Sequence, residues 1–190
     1  VVNQWEIRNV MKPIHRFVIS ATLLCLSHIT TVAEERLESF DTDPGWEGIN
    51  NRSTHFEPRE ITQDFGYAPD MELAGLKGAI GGRITPDGRP AYYGMPIQPL
   101  SFDTPFSASG TLTMKEGGGN LLLGFFNSTT LNEWRTPNTV VFRINGRGEI
   151  MHVHVEYLTS KWRAGAGIIG RYDKETDRNH PVELPTNGTY

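Results

Sequence analysis

From Leu37 onward, short apolar or alternating runs recur between turn residues, and no 3.6-residue apolar period lasts long enough to define a helix. "LESF" comes first and runs into "DTDPG". "GGRITPDGRPAYYG" reads as strand, turn, strand, with Pro86-Asp87-Gly88 at the turn. "GTLTM" and "NLLLGFFN" on either side of "KEGGG" predict a hairpin with a flexible tip. "NTVVFRI" and "EIMHVHVEYL" on either side of "NGRG" predict a second hairpin, since Asn-Gly readily takes the positive φ of a tight turn. "GAGIIGRYD" supplies a further strand. Strands and turns at this spacing predict an all-β protein, an antiparallel β-sandwich or jelly roll, in one domain without internal repeats.

The "NGRG" hairpin also sorts its side chains. A two-residue turn at Asn145-Gly146 or at Gly146-Arg147 sets even residues of the first strand opposite odd residues of the second. Val140, Phe142, Met151, Val153 and Val155 then share one face, which is expected to be the core. Thr139, Val141, Arg143, Ile150, His152, His154 and Glu156 share the other. His152, His154 and Glu156 therefore form a row on a polar face. The plainest use of that row is solvated or hydrogen-bonded polar surface. Next comes contact with a glycan, whose hydroxyls pair well with imidazole and carboxylate. The remaining use is metal binding, since two histidines and a carboxylate are a partial zinc set. Nothing in the sequence places His55 or His180 nearby to complete it.

The pattern changes before Glu34. Met11 opens "MKPIHRFVISATLLCLSHITTVAEE", a basic start followed by a short apolar stretch and small residues at Thr31 and Ala33. This reads as a secretory signal peptide over 11–33, cleaved near Ala33, and it is too short to span a membrane. Residues 1–10 read as an over-called extension, with Met11 the true start and 34–190 the mature domain. The protein is thus expected to be secreted or periplasmic. Cys25, the one cysteine, lies inside the signal and follows Leu24, which argues against a lipid anchor. The mature part has neither disulfides nor thiolate chemistry.

Charge narrows the partners. The chain carries −4, and residues 1–33 carry +2, leaving −6 for 34–190. No basic patch for nucleic acid or a membrane surface is present. A GxSxG elbow and a phosphate loop are also missing. "NRS", "NST" and "NGT" match the N-glycosylation pattern and matter only in a eukaryotic secretory pathway. The three tryptophans of 34–190 lie among polar neighbours. Trp46 is expected to pack with its N–H satisfied. Trp134 and Trp162, each followed by an arginine, suit packing or a sugar face equally. Asp41 and Asp43 in "DTDPG" offer two oxygen ligands without EF-hand spacing.

Longer phrases carry a family resemblance. "ESFDTDPGWEGINNR", "LSFDTPFSASGTLTMKEGGGNLLLGFFNS" and "NEWRTPNTVVFRINGRGEIMHVHVEYLTSKWRAGAG" resemble concanavalin A-like lectin/glucanase domains, the LamG-like jelly rolls of exported bacterial proteins. The resemblance spans Leu37 to Tyr190. It implies two curved antiparallel sheets, a concave face that holds glycan, and a structural calcium ion as the one cofactor to expect. Glycosidases of that fold alternate two or three acidic residues on a strand. Here the alternation is His152, His154, Glu156, with one carboxylate where hydrolysis needs a pair. About nine or ten strand-like runs fall short of the dozen or so such a fold uses, so the domain is expected to continue past Tyr190. The sequence reading is a non-catalytic protein that recognises polysaccharide or cell-wall glycan through Trp134, Arg143, His152, His154, Glu156 and Trp162, with no metal site. The alternatives are a glycoside hydrolase or lyase using Glu156 with a histidine, and a structural envelope protein without a small ligand.

Overall fold

The computed structural model describes residues 5–7, 35–56, 58–73, 75–103, 105–130, 137–161 and 166–190. The chain order is β1 (Trp5–Ile7), β2 (Arg36–Glu38), β3 (Glu47–Ile49), β4 (Arg52–Phe56), β5 (Glu60–Leu73), β6 (Leu76–Arg83), β7 (Tyr92–Gly94) and β8 (Ala108–Ser109). It continues with β9 (Gly117–Phe126), β10 (Thr139–Gly148), β11 (Ile150–Leu158), β12 (Ala166–Ile168), β13 (Gly170–Asp173), β14 (Arg178–Pro181) and β15 (Leu184–Pro185). A single 3-10 turn at Ser128–Thr130 is the helical content of the described residues. Every strand pairing described is antiparallel, so the molecule is all-β as the turn spacing predicts. The expected signal peptide lies outside the described residues.

The main sheet runs β12-β11-β10-β9, with β15 also paired to β11. A second sheet is β4-β5-β6, and smaller pairings are β3-β7, β13-β14 and β2-β1-β8. The segment between β6 and β7 links the two larger sheets. Gln63 of β5, itself buried, donates to the Thr85 carbonyl (2.6 Å) and accepts from the Thr85 N–H (2.9 Å). The next residue, Pro86, lies over β9, where a Cβ added at Gly119 would meet its ring.

Four local expectations are corrected. The "NGRG" turn falls at Gly148-Glu149, because Arg147 pairs with Ile150. Gly148 takes φ 65° at the first loop position, where a type II′ turn places glycine. Asn145 and Gly146 instead continue the ladder, and extra pairing on both sides outweighs the earlier turn. Gly146 suits that place because a Cβ there would lie 2.2 Å from the Gly117 Cα. "KEGGG" is not a hairpin tip: Gly117 to Gly119 join β9, while Leu112 exchanges backbone hydrogen bonds with Tyr190 and Thr113 bridges Thr189. "PDG" does not fold β6 onto β7, since β6 pairs with β5 and β7 with β3. "GAGIIGRYD" divides into β12 and β13.

The 14-residue β5 is the element the pattern hides. The alternating inward positions at its start are Ile61, Gln63 and Phe65, and the polar Gln63 breaks the apolar alternation.

The core face of the main hairpin also differs from expectation. The even-odd sorting of side chains holds, because the turn moved by an even register. Met151 is buried as expected (0% exposed) and Ile144 on the same face is buried with it (2%), but Phe142 and Val155 there are 47% and 42% exposed. On the opposite face Thr139, Val141, Glu156 and Leu158 are buried. Burial thus changes sides along the strands. Alternation determines which residues share a face, and neighbouring segments decide how much of that face they cover.

Candidate functional site

The register of the main sheet arranges the polar face in rungs. Asn120, Asn145 and His152 lie side by side on β9, β10 and β11. The next rung carries Leu122, Arg143, His154 and Ile168 of β12. The third carries Gly124, Val141 and Glu156. Arg143, His152, His154 and Glu156 are therefore brought together as the alternation predicts. Trp134 and Trp162 lie outside the described residues.

The side chains are tied to one another. Arg143 Nε donates to Glu156 Oε1 at 2.5 Å, and Arg143 Nη1 donates to Asn120 Oδ1 at 3.3 Å. Asn145 Nδ2 donates to the same Asn120 oxygen at 3.0 Å. His152 Nε2 stands 3.9 Å from Glu183 Oε1, beyond hydrogen-bond reach. The two histidines are half-buried and Asn120 is exposed, so the open end of the network is the rung of Asn120, Asn145 and His152.

Glu156 has a different place from the one expected of a ligand contact. Its side chain is 2% exposed. Its carboxylate acts inward, fixing the guanidinium of Arg143, whose planar fork then presents its remaining donors along the sheet. Glu156 positions the face and does not form it. Asn120 and Asn145 belong to the network and were missed. The available signal was parity: both share the alternation that selects Arg143 and His152.

The other groups considered as metal ligands are engaged elsewhere. His55 Nε2 pairs with Asp87 Oδ2 at 3.1 Å, and His180 Nε2 lies 3.7 Å from Asp173 Oδ2. The His55 Nδ1 is buried without a hydrogen-bond partner. Asp41 Oδ1 accepts from Ser39 Oγ at 2.6 Å, and Asp43 Oδ1 accepts from the Gly45 N–H at 2.9 Å. Among the described residues no three His, Cys, Asp or Glu side chains converge on one point. Trp46 packs as expected, edge-on to Phe40 (5.3 Å) and stacked on Tyr93 (5.9 Å). Its indole N–H, however, is buried with no acceptor.

Tyr93, Tyr172 and Asp173, all outside the polar face, have perturbed protonation. Burial, reinforced by the Asp43 charge, raises the Tyr93 hydroxyl above its ordinary pKa. The hydrogen bond to Asp177 raises that of Tyr172. The Asp173 carboxyl is held below the ordinary range, first by the Glu175 backbone N–H and then by the Thr176 hydroxyl.

No protein-family model matches the chain, and no curated protein or solved structure shows significant similarity to it. No helix among the described residues is long and apolar enough to cross a membrane.

Proposed function

We propose that this chain is an exported, non-catalytic β-sandwich protein of the concanavalin A-like kind that recognises carbohydrate, with a cell-wall or extracellular polysaccharide as its ligand. The observation that carries this reading is the three-strand polar network in which Asn120 accepts from both Arg143 and Asn145 beside His152. Planar amide, guanidinium and imidazole groups held at fixed spacing on a sheet suit the ring hydroxyls of a sugar, and their mutual hydrogen bonds lower the ordering cost of binding. Trp134 and Trp162 are proposed as the apolar plates that complete the face.

Hydrolysis by Glu156 is a weaker reading. The carboxylate is buried against Arg143, and the rungs around it bring no second carboxylate of β9, β10 or β11. Secretion after Ala33 and a structural calcium ion belong to the same proposal.

Tryptophan emission titrated with soluble polysaccharides tests it. A saturable shift with one glycan is expected, weakened at least about tenfold by Asn120→Ala with His152→Ala, the loss of two or three net hydrogen bonds. Affinity unchanged in that variant and in Trp134→Ala with Trp162→Ala would overturn the assignment.

A further inference from the structure

We infer that a cleft of about 790 Å³ between β3-β7 and the end of β9 binds a small organic cation, an ammonium group on an apolar or sugar frame. The volume is that of a small-molecule site.

Register places its groups. In the β3-β7 ribbon Glu47 is opposite Gly94 and Ile49 is opposite Tyr92, so Glu47 and Tyr92 occupy one face as diagonal neighbours. That face meets β9: the Tyr92 and Phe126 rings make an edge-to-face pair at 5.2 Å. A methyl group added at Gly94 would lie 3.4 Å from Phe126 Cζ. Gly94 therefore leaves an open space bounded by Glu47 on one side and the two rings on the other.

Charge selects the ligand. Among the described residues, four charged side chains line the cleft: Arg36, Glu38, Glu47 and Asp103. Arg36 and Glu38 neutralise each other at 3.5 Å. Asp103 is met only by Ser101, and neither it nor Glu47 has a cationic partner among the described residues. Among the described lining residues, Glu47 and Asp103 are thus left as carboxylates without a cationic partner, in the cleft that also holds the Tyr92–Phe126 ring pair. An ammonium ion gains from both, through Coulomb attraction and through the ring quadrupole. A neutral ligand gains only apolar contact, and an anion is repelled. The ring pair is already packed, so little order is lost on binding.

Calorimetric titration of the full chain tests this with choline against dimethylbutanol, its uncharged carbon isostere, and with glucosamine against glucose. A charged probe is expected to bind about tenfold more tightly than its neutral counterpart, a preference that fades in roughly 0.5 M salt. Glu47→Gln with Asp103→Asn should abolish the preference, and Tyr92→Leu should weaken the charged probe. Glu47 and Asp103 are exposed, so the double variant keeps the fold and melts as the parent does. Preference in the choline pair assigns a quaternary ammonium as the natural group; preference in the glucosamine pair assigns an amino sugar. Equal affinity within both pairs, a preference that survives in the double variant, or no binding of either cation would overturn the inference. None of these results bears on Asn120 and His152, where the glycan proposal stands or falls.

Discussion

At the scale of single residues, the buried pair of Arg143 and Glu156 is the most consequential feature. Removing one partner leaves an uncompensated buried charge, so Glu156→Gln should lower stability by roughly 3 kcal/mol in urea unfolding. Arg143→Met with Glu156→Leu should recover most of that loss, since apolar isosteres carry no desolvation penalty. Recovery would identify the pair as a positioning device, retained for the donors it presents and not for stability. Asp173 offers a pH test. Its carboxyl titrates below the ordinary value in the folded chain, so ionisation favours the β13-β14 hairpin above the ordinary carboxylate range. That contribution is lost as pH falls from the unfolded pKa through the depressed folded one. Amide exchange in β13 and β14 should quicken over that interval, and Asp173→Asn should remove the dependence.

At the scale of elements, burial that changes faces along β10 and β11 makes a sharp contrast. Met151→Ala creates a cavity and should cost about 2–5 kcal/mol. Val155→Thr, on the same face but 42% exposed, should cost under about 1 kcal/mol. Chemical denaturation of the two variants checks the pair. Equal costs would mean the face is covered along its whole length. Gln63 makes a second element-scale case. Its two hydrogen bonds to Thr85 tie the segment after β6 to the middle of β5. Gln63→Ala leaves the Thr85 groups without those partners and should cost about 1–3 kcal/mol. Proteolytic cleavage between Arg83 and Tyr92 should accelerate in parallel.

The legibility of these elements in the sequence follows a physical rule. The parity of "VVFRINGRGEIMHVHVE" survives a misplaced turn, because any even register shift keeps every side chain on its face. The turn itself was misplaced because Asn145-Gly146 is a good local turn, yet the strands gain more by pairing through it with β9 and β11. Strand β5 was missed because Gln63 is satisfied by a backbone segment more than twenty positions away, a partner no local pattern announces. Glu156 was read as a contact because its position defines a face, while its 2% exposure depends on what packs over that end of the sheet.

At the scale of the whole molecule, the polar network and the β3-β7 cleft adjoin opposite ends of β9. Asn120 and Phe126 are six positions apart on β9, about 20 Å at 3.3 Å per residue. Sites that far apart with no shared side chain should act independently. Saturating the β3-β7 cleft with choline should leave glycan affinity within about 0.5 kcal/mol, measured by the same tryptophan titration. A larger coupling would mean that one ligand spans both. The chain by itself determined the all-β class, the strand parity and the grouping of Arg143, His152, His154 and Glu156, because each follows from alternation and turn chemistry within one or two hairpins. The tertiary structure alone decided which part of each face is buried, where Gln63 and Glu156 find their partners, and that Glu47, Tyr92 and Phe126 meet around Gly94. Those outcomes depend on contacts between segments far apart in the chain, and local patterns of polarity carry no record of them.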